Sequence, residues 1–421
     1  MVFPAQPRDV YDVRDELSRL ERLSRFPEYE RNLFDEGPHL VSSPSLPWGD
    51  EVRSQMIEAY VRFIHGETWL TGAGAREMER DVISAMGSLL GAGQAAGFIT
   101  SGGSESNLCA MLAAKSRAGR SGSVVMPSYA HYSFYKGCRM FGLEPIPVPP
   151  PDGRYGVVDP DRVRSAIRDD TICVIGTAGT WPFGTVDPIP ELGEIAAERG
   201  LYFHVDACFG GFILPFLERS GYHSQLPLWD FRVPAVCSVS ADLHKNGLVP
   251  PPASSLYFRD AGLLEYAKKI APPNGTLSGT RGTGPIAASW TALQVMGLER
   301  YVAASRHSMA LRDDLVAGIC EIPGLDVVPG SMINIFVAYS PSLDLRPVVA
   351  ELSERGWMFV TNQEPAPVGI CLCTMPQNEP SGGPFLADLA EVVRLAAEPV
   401  PSGARGSDDA GRGEPGYGHV D

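Results

Sequence analysis

Short apolar segments alternate with helical segments from about residue 95 onward, and this alternation restricts the chain to a small set of folds. Six segments have the length and apolar character of buried strands: Ala96–Thr100, Val124–Met126, Ile172–Thr177, Leu201–Val205, Ala235–Val239 and Ser255–Phe258. Helical stretches lie between them, such as Glu191–Arg199, which Gly200 follows in the position of a helix C-cap. Strands joined through helices need crossover connections, so the sequence predicts an α/β fold with a mostly parallel central sheet.

The chain is longer than one compact domain and has enough apolar residues for a second. Its 421 residues are 44% hydrophobic, which predicts a large core with a smaller lobe attached. Residues 9–25 carry one apolar stripe, as on a helix that packs against a partner subunit. A long helix over Tyr301–Ile322 leads to a small lobe with strands Asn334–Val337 and Val368–Thr374. The predicted parts are an N-terminal helical segment packing on the dimer (1–60), a large α/β domain (61–300), a small C-terminal α+β domain (301–400) and a disordered tail (401–421).

The charge and the cysteine content exclude several classes of protein. The net charge of −15 comes from acidic and basic residues mixed along the chain, whereas nucleic-acid and anionic membrane surfaces need clustered Lys and Arg. The eight cysteines are scattered, without the spacing of a zinc site, so we expect a reducing compartment and no metal. The N-terminus lacks the pattern of a signal peptide, and no apolar run is long enough to span a membrane. We therefore expect a cytoplasmic protein.

A glycine-rich loop, Thr100–Asn107 (TSGGSESN), follows the first predicted strand and leads into a helical run. Its two glycines let the backbone approach an anion closely. Ser104 and the free N–H groups of the helix N-terminus can donate hydrogen bonds to a phosphate. An ordinary glycine turn with a serine cap is the alternative that this segment alone leaves open.

Three further polar residues lie just beyond predicted strands, at the edge where open parallel sheets bind ligands. Asp206 is costly to bury unless it is paired, and a protonated heterocyclic nitrogen is a suitable partner. Lys245, beside His244, can form a Schiff base with an aldehyde if its surroundings keep part of it neutral. His131 can stack on a planar ring near a substrate carboxylate. Taken singly, each residue has an alternative role: Asp206 as a turn cap, Lys245 as a solvated surface charge and His131 as a structural histidine.

In combination, these segments resemble the superfamily of group II pyridoxal-phosphate (PLP)-dependent decarboxylases and sphingosine-phosphate lyases, over roughly residues 40–380. The matching stretches are Thr100–Asn107 (TSGGSESN), Ala130–Ser133 (AHYS), Thr177–Pro188 (TAGTWPFGTVDP), His204–Phe216 (HVDACFGGFILPF), Ser238–Gly247 (SVSADLHKNG) and Leu277–Gly282 (LSGTRG). The resemblance implies the aspartate aminotransferase fold, which is fold type I of PLP enzymes, and pyridoxal 5'-phosphate as the cofactor. It also implies a homodimer with shared active sites.

The resemblance implies three catalytic residues and a reaction type. Lys245 forms the aldimine with the cofactor, Asp206 pairs with the pyridine nitrogen and His131 stacks on the ring. The hypothesis is that the substrate amine displaces Lys245 to give an external aldimine, in which the bond held perpendicular to the ring breaks to a quinonoid. If that bond leads to a carboxylate, the enzyme decarboxylates an L-amino acid such as aspartate or tyrosine (EC 4.1.1). This is the function that we predict.

Further residues are implied to hold the cofactor. Besides the catalytic three, these residues are Gly103, Ser104, Thr177, His244, Ser278 and Thr280. In the family pattern Gly103, Ser104 and His244 hold the phosphate, and Thr177 lies near the ring hydroxyl. The segment Ser278–Arg281 reaches the phosphate site of the neighbouring subunit.

The substrate pocket is the part of the site that the sequence leaves most open. The segment Gly66–Glu77 lacks the Phe-Pro-Gly of the related families, and it is expected to line the pocket. An acidic substrate needs a cation, which Arg76, Arg139 or Arg281 can supply; we assign Arg281 and Trp69 to substrate binding. The alternatives are a lyase that releases an aldehyde from a phosphorylated amino alcohol (EC 4.1.2) and another PLP reaction in specialised biosynthesis.

Overall fold

The computed structural model describes residues 50–65, 73–222, 226–272, 275–357, 360–362 and 369–397. Most of the predicted N-terminal segment, the predicted substrate residue Trp69 and the predicted tail from residue 401 lie outside the described residues. None of the helices in these ranges is long and apolar enough to cross a membrane.

Eleven strands form two sheets within the described ranges. In chain order they are β1 (Ala96–Thr100), β2 (Ser123–Pro127), β3 (Glu144–Val148), β4 (Thr171–Thr177), β5 (Tyr202–Asp206), β6 (Ser238–Ala241), β7 (Ser254–Phe258), β8 (Asp326–Val327), β9 (Ile335–Tyr339), β10 (Val360–Asn362) and β11 (Gly369–Cys373). The large sheet has the order β1-β7-β6-β5-β4-β2-β3. Strand β7 is antiparallel to both of its neighbours, and all other pairs in this sheet are parallel. The sheet is therefore mostly parallel, as predicted.

The helices connect these strands and cover the sheet. In chain order the described α-helices are α1 (Asp50–Arg62), α2 (Ala73–Leu89), α3 (Gly103–Ala118), α4 (Tyr132–Phe141), α5 (Pro160–Ala166), α6 (Ile189–Glu198), α7 (Leu214–Ser220), α8 (Ala261–Ile270), α9 (Thr283–Cys320), α10 (Arg346–Glu354) and α11 (Gly382–Ala397). Short 3-10 helices span Gly210–Phe212 and Pro376–Ser381. The predicted helix Glu191–Arg199 corresponds to α6, which starts two residues earlier because a proline in its first turn favours helix initiation.

Buried side chains cover both faces of the large sheet. Along β1, Phe98 belongs to one apolar cluster and Ile99 to the other, and Val124 and Val125 divide in the same way along β2. This division follows from the two-residue repeat of a strand. On the face of Phe98, helix α3 buries ten consecutive residues, Glu105–Ala114. The site residues at the start of this helix are thus anchored in the core.

The second sheet is small and antiparallel, with the order β10-β11-β9-β8. Its own apolar cluster includes Phe336, Leu372 and Phe385. Helix α9 joins the two sheets, and its helical geometry is interrupted at Gly297 (φ 56°, ψ 179°). The long helix predicted from Tyr301 therefore corresponds to the second part of α9, which begins much earlier than predicted.

Five of the six strands predicted for the large sheet lie within one residue of their observed bounds. The exception is Ala235–Val239, because β6 begins only at Ser238 and the N–H of Val236 donates to Val233 in a turn. Val236 is buried outside any strand, and its neighbours Ala235 and Cys237 are only partly buried. Strand β3 (EPIPV) was not predicted, since it contains two prolines. It lies at the sheet edge, where a strand has one partner and tolerates proline.

Candidate active site

The carboxyl ends of three parallel strands place the predicted site residues side by side. Thr177, the last residue of β4, pairs in register with Asp206, the last residue of β5. Asp206 pairs in turn with Ser240 of β6, and Lys245 follows β6 on a turn. Parallel strands end at the same edge of a sheet, so residues far apart in sequence meet here.

Lys245 lies between an acid and an aromatic ring. Its Nζ is 2.9 Å from Oδ2 of Asp242 and 3.9 Å from the centre of the Phe209 ring. Burial alone would lower the pKa of Lys245, but the Asp242 carboxylate raises it above its ordinary value. The ammonium form is therefore favoured, and formation of a Schiff base requires that Lys245 give up a proton.

Asp206 is a buried carboxylate, and both of its oxygens accept hydrogen bonds. Oδ2 accepts from Nδ2 of Asn107 at 3.0 Å, and Oδ1 accepts from the backbone N of Cys208 at 3.0 Å. Burial alone would raise the pKa of Asp206, but the nearby His131 ring and the bonds from Cys208 lower it below its ordinary value. The carboxylate is therefore held ionised, as it must be to pair with a protonated ring nitrogen.

His131 is the N-cap of helix α4. Its Nδ1 lies 2.8 Å from Oγ of Ser133 and accepts from the backbone N of Ser133 at 3.3 Å. Burial lowers the pKa of His131 below its ordinary value, even though the charge of Asp206 acts in the opposite direction. The structure thus brings a neutral imidazole close to the predicted ring-nitrogen partner.

The glycine-rich loop leads directly into helix α3, whose first two residues are Gly103 and Ser104. A Cβ atom at Gly103 would lie 2.8 Å from Oδ1 of Asp242, so the backbone can come this close only with glycine. His244 lies next to the loop: its Nε2 is 3.6 Å from Asp242, and a Cβ at Gly102 would be 3.6 Å from its ring. The three predicted phosphate residues therefore surround a helix N-terminus, which favours an anion.

Two buried polar atoms at this edge lack a hydrogen-bond partner within the part of the chain that the structure describes. They are Oγ1 of Thr177 and Oδ1 of Asp242. Buried polar atoms are normally paired, so this edge fits a ligand with polar groups. The residues present fit PLP: an amine for its aldehyde, the Asp206 carboxylate for its protonated nitrogen, and a glycine-rich helix N-terminus for its phosphate.

The segment predicted to reach the neighbouring subunit lies beside the same helix of its own chain. The backbone N and Oγ of Ser278 each donate to Oε1 of Glu105 at 3.0 Å. Thr280 is exposed. Glu105 also accepts from the backbone N and Oγ of Ser101, at 2.8 and 2.7 Å. One carboxylate thus joins the glycine-rich loop to the segment of Ser278.

The arginines considered for substrate binding differ in their surroundings. Arg281 is paired with the Glu79 carboxylate and donates to the carbonyl of Ile99 at 2.7 Å. Its assignment to substrate binding stays a prediction. The same holds for the two alternatives, Arg76 and Arg139, which both have interactions of their own.

The residues that hold the three predicted catalytic residues in place were not predicted from the sequence. Asn107 and Ser133 contact Asp206 and His131, while Asp242 and Phe209 hold Lys245. Spacing could have indicated one of them, because Asp242 precedes Lys245 by three residues and is one turn away. Asn107 gave no such signal, since its partners lie on other elements.

Comparisons with known proteins match the part of the chain that contains these residues. The family model described as the pyridoxal-dependent decarboxylase conserved domain matches residues 68–274. A protein of Methanothermobacter thermautotrophicus named as a probable L-tyrosine/L-aspartate decarboxylase is 36% identical over 306 residues, which cover 71% of this chain and 83% of that protein. A probable L-aspartate decarboxylase of Thermococcus gammatolerans is 32% identical over 403 residues, which cover 93% of this chain and 100% of the relative.

Solved structures give the same fold. The sphingosine-1-phosphate lyase of Burkholderia pseudomallei superposes with a TM-score of 0.84 and 31% identity, covering 94% of this chain and 93% of that chain. These likenesses, together with the mostly parallel seven-stranded sheet, confirm the fold class predicted from the sequence.

Proposed function

Since this chain belongs to the family of pyridoxal-dependent decarboxylases and is a PLP-dependent carboxy-lyase (EC 4.1.1), we propose that it converts L-aspartate or L-tyrosine to the amine and CO₂. The names of its relatives support these two substrates. One observation carries the proposal: Lys245 and Asp206 lie at the same sheet edge, beside the glycine-rich start of helix α3.

Each of the catalytic residues has a distinct part in this proposal. Lys245 binds the aldehyde of the cofactor, Asp206 keeps a proton on its ring nitrogen and His131 stacks on its ring. When bound, PLP supplies an electron sink for the bond that breaks. The protein would supply orientation, by holding the substrate so that the bond to its carboxylate is the one that breaks.

The phosphate end of the cofactor is held by Gly103, Ser104 and His244 in this proposal, while Thr177 donates to the ring hydroxyl. The unpartnered Oγ1 of Thr177 supports the last assignment. Ser278–Arg281, including Thr280, completes the phosphate site of a neighbouring subunit, so the active form is a homodimer. The location that we propose is cytoplasmic, consistent with the eight free cysteines.

A second candidate function has structural support of its own. The solved structure reported above is a sphingosine-1-phosphate lyase that matches nearly the whole chain at 31% identity. The same lysine and aspartate can serve a reaction in which a 2-amino alcohol loses an aldehyde, provided that a base takes up the hydroxyl proton. The two functions differ in which bond of the substrate the pocket would orient for cleavage.

Product analysis of the PLP-loaded protein tests both functions. We expect an absorbance band near ~420 nm from the Schiff base of Lys245, and CO₂ release from L-aspartate or L-tyrosine within a panel of amino acids. Lys245→Ala should lose both signals. Lys268→Ala is the matched control, since this lysine is paired on the surface with Glu265 and should keep both signals. Aldehyde release from a phosphorylated amino alcohol, without CO₂ from any amino acid, would support the second function instead.

A further inference from the structure

A continuous chain of hydrogen bonds runs from the buried Asp206 to the half-buried His131. Nδ2 of Asn107 donates to Oδ2 of Asp206 at 3.0 Å and to Oγ of Ser133 at 3.1 Å. Oγ of Ser133 lies 2.8 Å from Nδ1 of His131. Asn107 and Ser133 are fully buried, so their polar atoms depend on these partners. Residues on β5, α3 and α4 are therefore linked through four side chains.

The charge on Asp206 fixes the direction of the first bond. An ionised carboxylate only accepts hydrogen bonds, so the amide nitrogen of Asn107 must face it and the amide oxygen must face away. That oxygen lies 2.8 Å from Oγ of Ser240 and 3.2 Å from Nε2 of His204, which therefore act as donors. His204 is then neutral with Nδ1 accepting from Ser238. This agrees with a pKa that burial lowers to about 4.

The hydrogen bonds of Ser133 fix the position of the proton on His131 in the same way. Because Oγ of Ser133 accepts from Asn107, its hydroxyl hydrogen is available for Nδ1 of His131. The backbone N–H of Ser133 also donates to this nitrogen, at 3.3 Å. Two donors converge on Nδ1, so the ring proton must be on Nε2.

We infer that Asn107 and Ser133 are positioning residues that hold His131 as the neutral tautomer with its proton on Nε2. In this form His131 offers the substrate a hydrogen-bond donor and is not an imidazolium acid. The part of the inference that concerns the substrate rests on the proposed function.

The charged groups around His131 do not reverse this state. Asp206 at the end of β5 and Asp242 after β6 both favour the imidazolium, whereas Lys245 on the same turn opposes it. Burial opposes it most strongly, and the pKa of His131 is lowered as a result. Protonating Nδ1 would also set its new N–H against the backbone N–H of Ser133.

Nitrogen NMR of the ¹⁵N-histidine-labelled holoenzyme tests the inference directly, with the His131 signals assigned from their absence in His131→Gln. At neutral pH we expect an unprotonated Nδ1 and a protonated Nε2. Ser133→Ala removes one donor from Nδ1, and we expect it to raise the pKa of His131 by about half to one unit. Ser133→Cys keeps a weaker donor of similar size, so it should raise the pKa of His131 less than Ser133→Ala does.

Ser238→Ala is the matched control, because it removes an equally buried hydroxyl that contacts His204 and Tyr202 but not His131. It should leave the His131 signals in place. An imidazolium or a protonated Nδ1 at neutral pH in the unaltered enzyme would overturn the inference. So would equal His131 pKa values in Ser133→Ala and Ser238→Ala.

The pH dependence of turnover adds a functional readout. We expect the acidic limb of the kcat profile to move to higher pH in Ser133→Ala, in step with the His131 titration, while KM changes less. If no amino acid yields CO₂, the proposed function fails, yet the spectra still test the hydrogen-bond chain. If CO₂ is released but the spectra show another tautomer, only the inference fails.

Discussion

Asp206 and Lys245 carry opposite charges in a buried site, and each is stabilised by different neighbours. Asp206 accepts hydrogen bonds from Asn107 and Cys208, so its charge is shared with neutral donors. Lys245 relies on the Asp242 carboxylate at 2.9 Å. This arrangement leaves the charge of Asp206 available for a ligand, because no cationic side chain bonds to it within the described residues.

The first prediction concerns that available charge. Asp206→Asn should lower kcat by at least about a hundredfold, because a neutral amide no longer keeps the cofactor nitrogen protonated. Turnover of the PLP-loaded variant, with cofactor content followed by absorbance, measures the effect. Ser240→Ala removes a neutral contact to the same carboxylate at 3.3 Å and should cost much less. Equal losses of kcat in the two variants would mean that disruption of the hydrogen bonds around Asp206, and not loss of its charge, is responsible.

The second prediction concerns the close approach of the backbone at Gly103 to Cys208 and Asp242. Gly103→Ala would place a Cβ 2.6 Å from Sγ of Cys208 and 2.8 Å from Asp242, so the start of helix α3 must shift. We expect a tenfold or greater loss of PLP affinity and a loss of about 1–3 kcal/mol in unfolding free energy. Fluorescence titration with PLP and urea unfolding measure the two effects.

Gly93→Ala is the control for this substitution, since nothing lies within 4 Å of a Cβ at that position. It should bind PLP like the unaltered protein. A Gly103→Ala variant with unchanged PLP affinity would show that the cofactor does not depend on this approach of the backbone.

At the scale of elements, strand ends were predictable from the sequence, whereas contacts between elements were not. Asp206 and Lys245 follow apolar strands, and the edge of a parallel sheet is the expected position of a ligand. Asn107 lies near the start of a buried helical run, and its partner Asp206 is 99 residues away. Nothing local marks such a residue, because a polar side chain in a helix has the same pattern whether it is buried or solvated.

The third prediction concerns the link between helix α3 and the segment of Ser278. Glu105→Gln should loosen this link, because an amide has one acceptor oxygen where the carboxylate receives four bonds from Ser101 and Ser278. We expect faster hydrogen exchange at Ser278 and a loss of about 1–3 kcal/mol in stability at pH 7. The exposed Glu299→Gln is the control and should change neither.

The contribution of Glu105 has a defined pH dependence. Burial alone would raise its pKa, but the bonds from Ser101 and Ser278 lower it below its ordinary value of 4.5. A carboxyl with a lowered pKa in the fold stabilises the protein above its unfolded pKa, and this stabilisation is lost as the pH falls through the folded value. The stability difference between the unaltered protein and Glu105→Gln should therefore be full at pH 7 and shrink below pH 4.5. A difference that grows on acidification would contradict this assignment.

At the scale of the whole molecule, an apolar surface supports the homodimer that we propose. Helix α1 buries Val52 and Met56, but Ile57, Val61 and Ile64 are about half exposed. The exposed three lie four and three residues apart, on one side of the helix and its C-terminal extension. Such an apolar stripe is more favourable when it is covered, and the second copy that we propose would cover it symmetrically.

The last prediction is that two inactive variants restore activity when they share a dimer. Lys245→Ala inactivates its own site. Thr280→Asp places a negative charge at the phosphate of the neighbouring site if the segment Ser278–Arg281 crosses between subunits. In a mixed dimer, the chain that keeps Lys245 receives an unaltered Thr280 from its partner. Heterodimers purified through two different tags should therefore have about half of the unaltered activity, since one of two sites is intact.

A control distinguishes a segment that crosses between subunits from a recovery of activity that dimerisation alone would cause. A heterodimer of Lys245→Ala with Asp206→Asn should stay nearly inactive, because both substitutions act within their own chain and each site keeps one of them. Recovery in the first mixture but not in the second requires that Thr280 serve the neighbouring site. If neither mixture recovers activity while Thr280→Asp alone is inactive, Thr280 acts within its own chain, where Ser278 already lies beside Glu105. The two active sites would then be independent, and the dimer would only cover the apolar stripe of helix α1.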